Sequence, residues 1–289
     1  MEGLKKLFLP ITATLGFIQK YFKSMLFLLL LFVLFAPANE ADLTPNNLQE
    51  IKLIGPIMDM SEVVEQLDSA RENHRIKGVM LTVDSPGGAV SPSIEVMYAL
   101  KRLREAKPVV VYAAGTIASG SYYASIWANE IIVNPGSMVG SIGVIMHGAD
   151  VSGLMKKIGI KSQVIAAGKY KQVGTSDRPW SNVEKAELNK VIKDTYKTFV
   201  ADVAEARGLK VKDAHRYADA HIFTARQAKE VGLVDGLGVK YDAKIRLETL
   251  AEITAPVWNK EDKFDKLMKK FAAESSMMLH TYFPAVSLR

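Results

Sequence analysis

Two mainly apolar runs constrain what this chain can fold into more than any other feature. The first, Lys77–Val83, leads directly into Asp-Ser-Pro-Gly-Gly at 84–88, and the second, Val109–Ala113, opens a cluster of small residues that extends to Tyr123. Short apolar runs rich in valine are typical of strands buried on both faces, and a helix-forming stretch separates these two. Strands that alternate with helices predict right-handed βαβ units and a largely parallel sheet, so we expect an α/β fold.

Weaker patterns predict the remaining elements. We expect further strands or extended segments at Glu50–Ile54, Glu130–Val133, Ser141–His147 and Ser162–Ala166. We expect helices at Ser61–Asn73, from a cap at Ser91 to about Lys107, at Leu154–Ile158, at Asn182–Ala206, before Ala218 and at Thr224–Val231. The longest of these helices carries an apolar stripe, which marks the face that packs against the rest of the fold.

Ser119 lies between the second apolar strand and an apolar run at Tyr122–Ala128 that predicts a helix. A turn between strand and helix presents its side chain at the mouth of the sheet, and unpaired N–H groups at the start of a helix favour negative charge. Such a position suits a nucleophilic serine. The alternative is that the small residues only allow the helix to pack closely against the strand.

Three glycines are candidates for an oxyanion hole, which a reactive serine also needs. Gly87 and Gly88 follow a strand and leave their backbone N–H groups clear of side chains, and Gly120 directly follows Ser119. The alternative for Gly87 and Gly88 is an ordinary Pro-Gly turn.

The base that would take the serine proton is less clear from the residues alone. Among the five histidines, His147 follows a predicted strand and is the one expected near the end of the sheet. A lysine is the other choice, although its reference pKa of about 10.4 requires desolvation before it can act near neutral pH. Gly168-Lys-Tyr-Lys171 follows an apolar extended segment and precedes a loop rich in small residues, so Lys169 and Lys171 are both candidates.

The composition excludes several classes of function. The chain has 289 residues, a formal charge of +6 and no cysteine, which rules out disulfides, thiolate metal sites and a cysteine nucleophile. Its basic residues are not interleaved with aromatic residues as in nucleic-acid binders, so we expect no nucleic-acid partner. We also expect no metal and no cofactor.

Residues 1–45 predict a membrane segment. Met25–Ala36 is apolar and uncharged, lysines precede it, and Glu40 and Asp42 follow it. A helix of this run spans about 18 Å, short of a hydrocarbon core of ~30 Å. The run fits three alternatives: a secretory signal cleaved near Ala38, a single membrane anchor that also includes the preceding Tyr21–Lys23, or a buried core helix. We favour the anchor because the leader before the run is long for a signal peptide. In the first two cases the positive-inside rule places the rest of the chain outside the cytoplasm.

Five segments together resemble the signal peptide peptidase A (protease IV) family, in its short single-domain form with an N-terminal membrane segment. They are Asp-Ser-Pro-Gly-Gly at 84–88, Ala-Ser-Gly-Ser-Tyr-Tyr at 118–123, Gly-Ser-Ile-Gly-Val at 140–144, Gly-Lys-Tyr-Lys at 168–171 and Ile-Phe-Thr-Ala-Arg-Gln-Ala-Lys-Glu-Val-Gly-Leu-Val-Asp at 222–235. The segments occur in order over roughly residues 50–250, and their joint occurrence is far more specific than any one of them.

The resemblance implies a Clp-protease/crotonase-like fold over residues 46–255. In the extension at 256–289, Phe264, Leu267, Met268 and Phe271 predict a basic amphipathic helix that packs on the domain or on a neighbouring subunit, or lies on a membrane. The resemblance implies a serine endopeptidase with a Ser–Lys dyad and prefers Lys171 over Lys169. The roles it implies are the nucleophile for Ser119, the general base for Lys171, support of the lysine for Ser141, and the oxyanion hole for Gly88 and Gly120 with Gly87 as the adjacent alternative. The family usually has glycine where this chain has Ser121, and serine would be strained if that position needs a positive φ.

The resemblance also implies partners and a location. These are a bowl-like homo-oligomer whose dyad is completed across subunits, residual signal peptides and other apolar extended peptides as substrates, and the bacterial cytoplasmic membrane with the catalytic domain on the extracytoplasmic side. Two alternatives keep the fold and change the function: an acyl-CoA enzyme of the crotonase group, which would use a glutamate base, and a catalytically inactive scaffold.

Overall fold

The computed structural model describes residue 17, residues 19–28 and residues 45–259. The chain divides into two units, Met1–Pro45 and Asn46–Arg289. In the first unit, residues 19–28 are helical. Within the described residues, no helix combines the length and the apolar character needed to cross a membrane. Most of the predicted membrane segment Met25–Ala36 and of the predicted extension 256–289 lies outside the described residues.

The second unit is a mixed α/β structure, as the alternation of strands and helices predicts. Its strands are β1 (Leu48–Ile54), β2 (Gly78–Ser85), β3 (Val109–Ala118), β4 (Glu130–Val133), β5 (Met138–Gly140), β6 (Ile222–Thr224) and β7 (Gly236–Leu237). Its helices are α1 (Ser61–Glu72), α2 (Val90–Ala106), α3 (Gly120–Ser125), α4 (Ser152–Lys157), α5 (Asn182–Arg207), α6 (Ala225–Glu230) and α7 (Lys240–Leu250), with a 3-10 helix at Val211–Arg216.

The strands form one sheet in which the order β1-β2-β3-β4-β7 is parallel throughout. β5 pairs in parallel with the far end of β3, and β6 pairs antiparallel with β5. The largely parallel sheet is therefore confirmed. The short strands β5 and β6 and helix α7 are elements that the sequence pattern did not indicate. β3 is the centre of the site described below because it pairs with β2, β4 and β5.

Both faces of the sheet are covered, which explains the mainly apolar runs. Alternate residues of β2 such as Val79 and Leu81 belong to the larger core with α1, α2 and α3. The residue between them, Met80, packs on the opposite face with Val110 and with Leu247 of α7. A strand buried on both faces needs apolar residues at successive positions, and this is the pattern the sequence shows.

β3 continues five residues beyond the predicted end of the strand. The β2–β3 pairing passes from Val83↔Ala113 to Ser85↔Ile117, so β3 carries extra residues at an irregularity. The Thr116 N–H donates to Asp84 Oδ1 at 2.8 Å, and a Cβ on Gly115 would lie 2.5 Å from that oxygen. The small residues after Ala113 thus build a bulge within the strand before the turn begins.

Two local expectations were wrong. Ser91 does not cap α2, because the helix begins at Val90, with Ala89 in the capping position and no side-chain cap. Ser141–His147 does not form a strand: β5 ends at Gly140, and Ser141 has a φ of 50° that turns the chain away from the sheet. A residue in the left-handed region cannot continue a β ladder.

Candidate active site

Ser119 joins the end of β3 to the first residue of α3. Its N–H donates to the Gly140 carbonyl at 2.8 Å, and its own carbonyl accepts from the Tyr123 N–H at 3.0 Å. Its φ of 53° and ψ of −124° are uncommon for a residue with a side chain. Backbone strain of this kind persists where the surrounding structure fixes it, and it concentrates at functional sites.

Close backbone packing explains the candidate glycines around Ser119. Gly87 has a φ of 91°, and a Cβ there would lie 2.6 Å from the Gly120 nitrogen. A Cβ on Gly88 would lie 2.1 Å from the Ile57 carbonyl oxygen, and one on Gly120 would lie 2.2 Å from Ser93 Oγ. No side chain fits at any of the three positions without displacing its neighbours, so these glycines are more than a Pro-Gly turn.

Two backbone donors are free beside Ser119. Within the described residues, the Gly88 and Gly120 amides have no hydrogen-bond partner, whereas the Gly87 N–H donates to Ser85 Oγ at 3.2 Å. The Gly88 nitrogen lies 3.3 Å from the point where a Cβ of Gly120 would stand. Paired free amides next to a serine hydroxyl are the arrangement that stabilises an oxyanion. The geometry favours Gly88 over Gly87 as the first donor.

Strained backbone concentrates in this cavity. Five described residues other than glycine have a positive φ, and four of them line the cavity that contains the serine: Ser119, Ser141, Asp219 and Ala220. Two hydrogen bonds join the turn at Ser141 to the turn at Asp219 and Ala220. The Ser141 N–H donates to the His221 carbonyl at 2.7 Å, and the Ala220 N–H donates to the Ile142 carbonyl at 2.9 Å. The strain is thus maintained by the contact between two neighbouring turns.

The cavity has a volume of about 580 Å³ and a mostly apolar lining. Helix α5 contributes Ile192, Tyr196 and Phe199 to its wall. Tyr123 of α3 stacks on Phe199 with ring centroids 4.3 Å apart, and its hydroxyl donates to Asp202. Burial, and then this hydrogen bond, raise the pKa of Tyr123, so the phenol stays a neutral donor that ties α3 to α5.

The structure brings five of the six predicted site residues together. The cavity lining includes Gly87, Gly88, Ser119, Gly120 and Ser141. Lys171 is not among the lining residues; it is exposed and lies in a turn that follows Gly168. Lys169 is also exposed and outside the cavity, as are the histidines of the described residues. A single copy of the chain therefore presents the serine without either lysine.

The turn that carries Lys171 is held by a charged pair. The neighbouring Gln172 accepts a hydrogen bond from Arg178 at 3.2 Å, and Arg178 makes two bonds of 2.8 and 2.7 Å with the carboxylate of Glu184. Glu184 belongs to the first turn of α5, where it forms a capping box with Ser181. The Arg178 guanidinium, followed by the Ser181 N–H, lowers the pKa of Glu184 to about 2.

The segment that leads from Ser141 to this turn exposes an unusual number of apolar side chains. Ile145 is 90% exposed and Ile165 is fully exposed. Others that are at least half exposed on the same stretch are Leu154, Ile158, Ile160 and Val164. We call residues 143–165 the exposed apolar segment. Many exposed apolar side chains on one stretch of chain are typical of a site of protein or membrane contact.

Sequence reasoning missed one buried hydroxyl. Ser121 was expected to be strained if its position needs a positive φ, but it lies within α3, is fully buried and has no positive φ. The strained residue is Ser119, two positions earlier. The only signal in the sequence was the serine itself at a position where the family usually has glycine.

A family model for "Peptidase family S49" matches residues 101–254. That range covers more than half of the chain and includes Ser119, Ser141 and Lys171. The chain belongs to peptidase family S49. One relative, the candidate protease MJ0651 from Methanocaldococcus jannaschii, is 43% identical to this chain over 198 residues, which are 68% of this chain and 64% of that protein. A candidate signal peptide peptidase, SppA, from Enterococcus faecium is 32% identical over 190 residues, which are 65% of this chain and 55% of that protein.

The S49 chain thus spans less than two thirds of the length of each of these relatives. Among solved structures, a ClpP1 mutant from Listeria monocytogenes covers 67% of this chain and 93% of its own, with a TM-score of 0.45 and 15% sequence identity.

Proposed function

We propose that this chain is a serine endopeptidase in which Ser119 attacks a peptide carbonyl. The observation that carries the proposal is the pair of free Gly88 and Gly120 amides beside a serine held in a strained turn at the edge of an apolar cavity. A hydroxyl, two oxyanion donors and room for an extended chain are the parts that acyl transfer requires. Membership of a peptidase family supports the same reading, and the fold we propose is of the Clp-protease/crotonase type.

The general base in this proposal is Lys171 of a neighbouring copy. Lys171 is exposed and outside the cavity of its own chain, and it follows the exposed apolar segment along the sequence. Docking of that segment on a second copy would bury its apolar side chains and carry the lysine with it. Ser141 lines the cavity near Ser119 and is available to position the incoming amine.

The proposed hydrolysis needs only these protein groups and a water molecule. The neutral Lys171 amine takes the Ser119 proton as Oγ forms a bond to the carbonyl carbon, and the amides of Gly88 and Gly120 hold the resulting oxyanion. Collapse breaks the C–N bond, and the leaving amine receives the proton from the lysine. Water then gives a proton to the lysine as it attacks the acyl-enzyme, and the proton returns to Ser119 Oγ when the product carboxylate leaves.

The proposed substrates are residual signal peptides and other apolar extended peptides. The apolar lining of the cavity supports this choice, and so does the name of the E. faecium relative. We propose that the protein is held in the cytoplasmic membrane with its catalytic domain on the extracytoplasmic side, on the basis of the apolar run Met25–Ala36 and the lysines before it.

A serine-directed fluorophosphonate probe tests the proposal on the full chain in its assembled form. Wild type should be labelled, whereas Ser119→Ala and Lys171→Ala should not, because the first lacks the nucleophile and the second lacks its base. Equal labelling of all three proteins, or labelling of none, would contradict it. An acyl-CoA enzyme of the crotonase group would hydrate or isomerise its substrate in both variants, and an inactive scaffold would label in none.

A further inference from the structure

The Ser121 hydroxyl lies beneath the point where the two turns of the proposed active site meet. It accepts a hydrogen bond from the Ala118 N–H at 2.9 Å and lies 2.7 Å from the Ser85 carbonyl and 2.9 Å from the Ala118 carbonyl. Ser121 and Ser85 are completely buried. A hydroxyl has one proton, so it donates to one of these carbonyls at a time while accepting from the amide.

The sheet itself does not join the two turns. The pairing of β2 with β3 ends at Ser85↔Ile117, one residue before Pro86 on one side and one before Ala118 on the other. Beyond that pair, the chain from Ser85 leads to the Gly88 amide and the chain from Ala118 leads to Ser119. The Ser121 hydroxyl therefore takes over where the ladder stops, since it binds the last carbonyl of β2 and the last amide of β3.

We infer that Ser121 is a positioning residue that sets the separation between the Gly88 amide and the Ser119–Gly120 turn. The inference rests on the proposed function, because it assigns Ser121 a part in forming the oxyanion hole. The two donors of that hole follow the ends of different strands, β2 and β3, and Gly87 packs directly on Gly120. A small change in their separation alters the hole while leaving the rest of the fold in place.

Ser125 offers a matched control on the same short helix. It is also completely buried, and its hydroxyl donates to the Ser121 carbonyl at 2.7 Å, within one turn of α3. Its loss removes a buried hydroxyl of the same kind without touching either strand end. Ser121→Ala and Ser125→Ala should therefore have similar effects on folding and different effects on chemistry.

The experiment follows fluorophosphonate labelling of the assembled full chain over time and separates rate constant from end-point. The end-point counts folded, competent sites, and the rate constant reports how well each site stabilises the phosphonyl oxygen. We expect Ser121→Ala to slow labelling about tenfold, less than the loss of a whole oxyanion donor. Ser121→Cys fills the same space with a weak hydrogen-bonding group, so its labelling rate constant should lie between those of wild type and Ser121→Ala. Ser125→Ala should keep the wild-type rate constant. With a peptide substrate, Ser121→Ala should lower kcat and leave KM unchanged.

The outcomes separate the two proposals. If wild type is labelled and Ser119→Ala is not, but Ser121→Ala reacts at the wild-type rate constant, the positioning role is wrong and the peptidase stands. A lower end-point with an unchanged rate constant also overturns it, because that result shows a purely structural role. If Ser121→Ala does not fold, the rate constant of Ser121→Cys decides by the same criteria. If wild type itself is not labelled at Ser119, the proposed function fails first.

Discussion

Gly87 combines a positive φ with a close backbone contact, so a single added methyl group should disturb the site there. Its φ of 91° is strained for alanine, and the added carbon would lie 2.6 Å from the Gly120 nitrogen and 2.9 Å from the Ser119 Cβ. We expect Gly87→Ala to abolish fluorophosphonate labelling and to lower the free energy of unfolding by about 1–3 kcal/mol. Gly136→Ala is the control, because Gly136 has no positive φ and its nearest neighbour would be 3.4 Å away. Equal behaviour of the two variants in urea unfolding would contradict this account.

Replacing Ala220 with glycine should have the opposite effect on stability. Its φ of 58° lies in the left-handed region, where a side chain is unfavourable and glycine is not. We expect Ala220→Gly to raise the free energy of unfolding by about 1 kcal/mol, measured by urea denaturation. Ala206→Gly in α5 should lower it by a similar amount, because that residue is helical. A loss of stability in Ala220→Gly would show that its Cβ contributes more by packing than the backbone loses by strain.

At this scale the sequence indicated candidate residues that the structure places together, but it did not indicate their geometry. Spacing after apolar strands indicated Ser119 and the three glycines, and the structure places all of them around one cavity. It did not reveal which backbone positions are strained, because φ at Ser119 and Ser141 is fixed by hydrogen bonds to Gly140 and His221, which lie far along the chain or on another turn. Such tertiary partners leave no local pattern.

Helix α5 links the wall of the cavity to the turn that carries Lys171. Its first turn contains Glu184, whose pKa is lowered from 4.5 to about 2 by Arg178 and the Ser181 N–H. The unfolded chain therefore takes up this proton at a higher pH than the folded chain. The stabilisation is fully present above pH 4.5 and is lost as the pH falls from 4.5 towards about 2.

Glu184→Gln tests this linkage. We expect lower stability than wild type at neutral pH and a shallower decline between pH 4.5 and 2, since the group that takes up the proton is gone. Urea unfolding across that range measures it. Glu187→Gln removes a carboxylate from the same helix, where Glu187 pairs with Lys190 on the surface, and serves as the control. An identical pH dependence in the two variants would rule out the proposed linkage.

Elements with strong periodicity were predicted well, and those fixed by tertiary contacts were not. Asn182–Ala206 was expected from its apolar stripe and is found as Asn182–Arg207. β6 has three residues and exists because it pairs with β5, so no repeat in the sequence marks it. The end of β3 was placed too early because the bulge at Gly115 depends on Asp84 of the neighbouring strand.

At the scale of the whole molecule, the proposed active site needs residues from more than one copy of the chain. If the dyad is formed between copies, Ser119→Ala and Lys171→Ala should each be inactive, and the two together should regain activity after co-assembly. Random mixing in a closed ring of head-to-tail contacts leaves about a quarter of the sites with both groups. Cleavage of an apolar fluorogenic peptide measures it. A mixture that remains inactive, although the copies have exchanged, would place both groups of the dyad in one chain or exclude the dyad altogether.

The exposed apolar segment makes a separate prediction about assembly. We expect the double variant Ile145→Asp, Ile165→Asp to sediment as a smaller species and to lose peptidase activity, because two charges would replace apolar side chains at the proposed contact. Its circular dichroism should match wild type, since both residues are exposed. Tyr241→Asp is the control, as Tyr241 of α7 is 70% exposed elsewhere on the surface. Wild-type sedimentation of the double variant would remove this segment from the interface.

The separation of Lys171 from the cavity of its own chain has a consequence for control. A lone chain would be a latent hydrolase, carrying a nucleophile that it cannot deprotonate. Dilution would silence it and crowding would activate it, so that the onset of cleavage would follow the local density of chains more steeply than their total number.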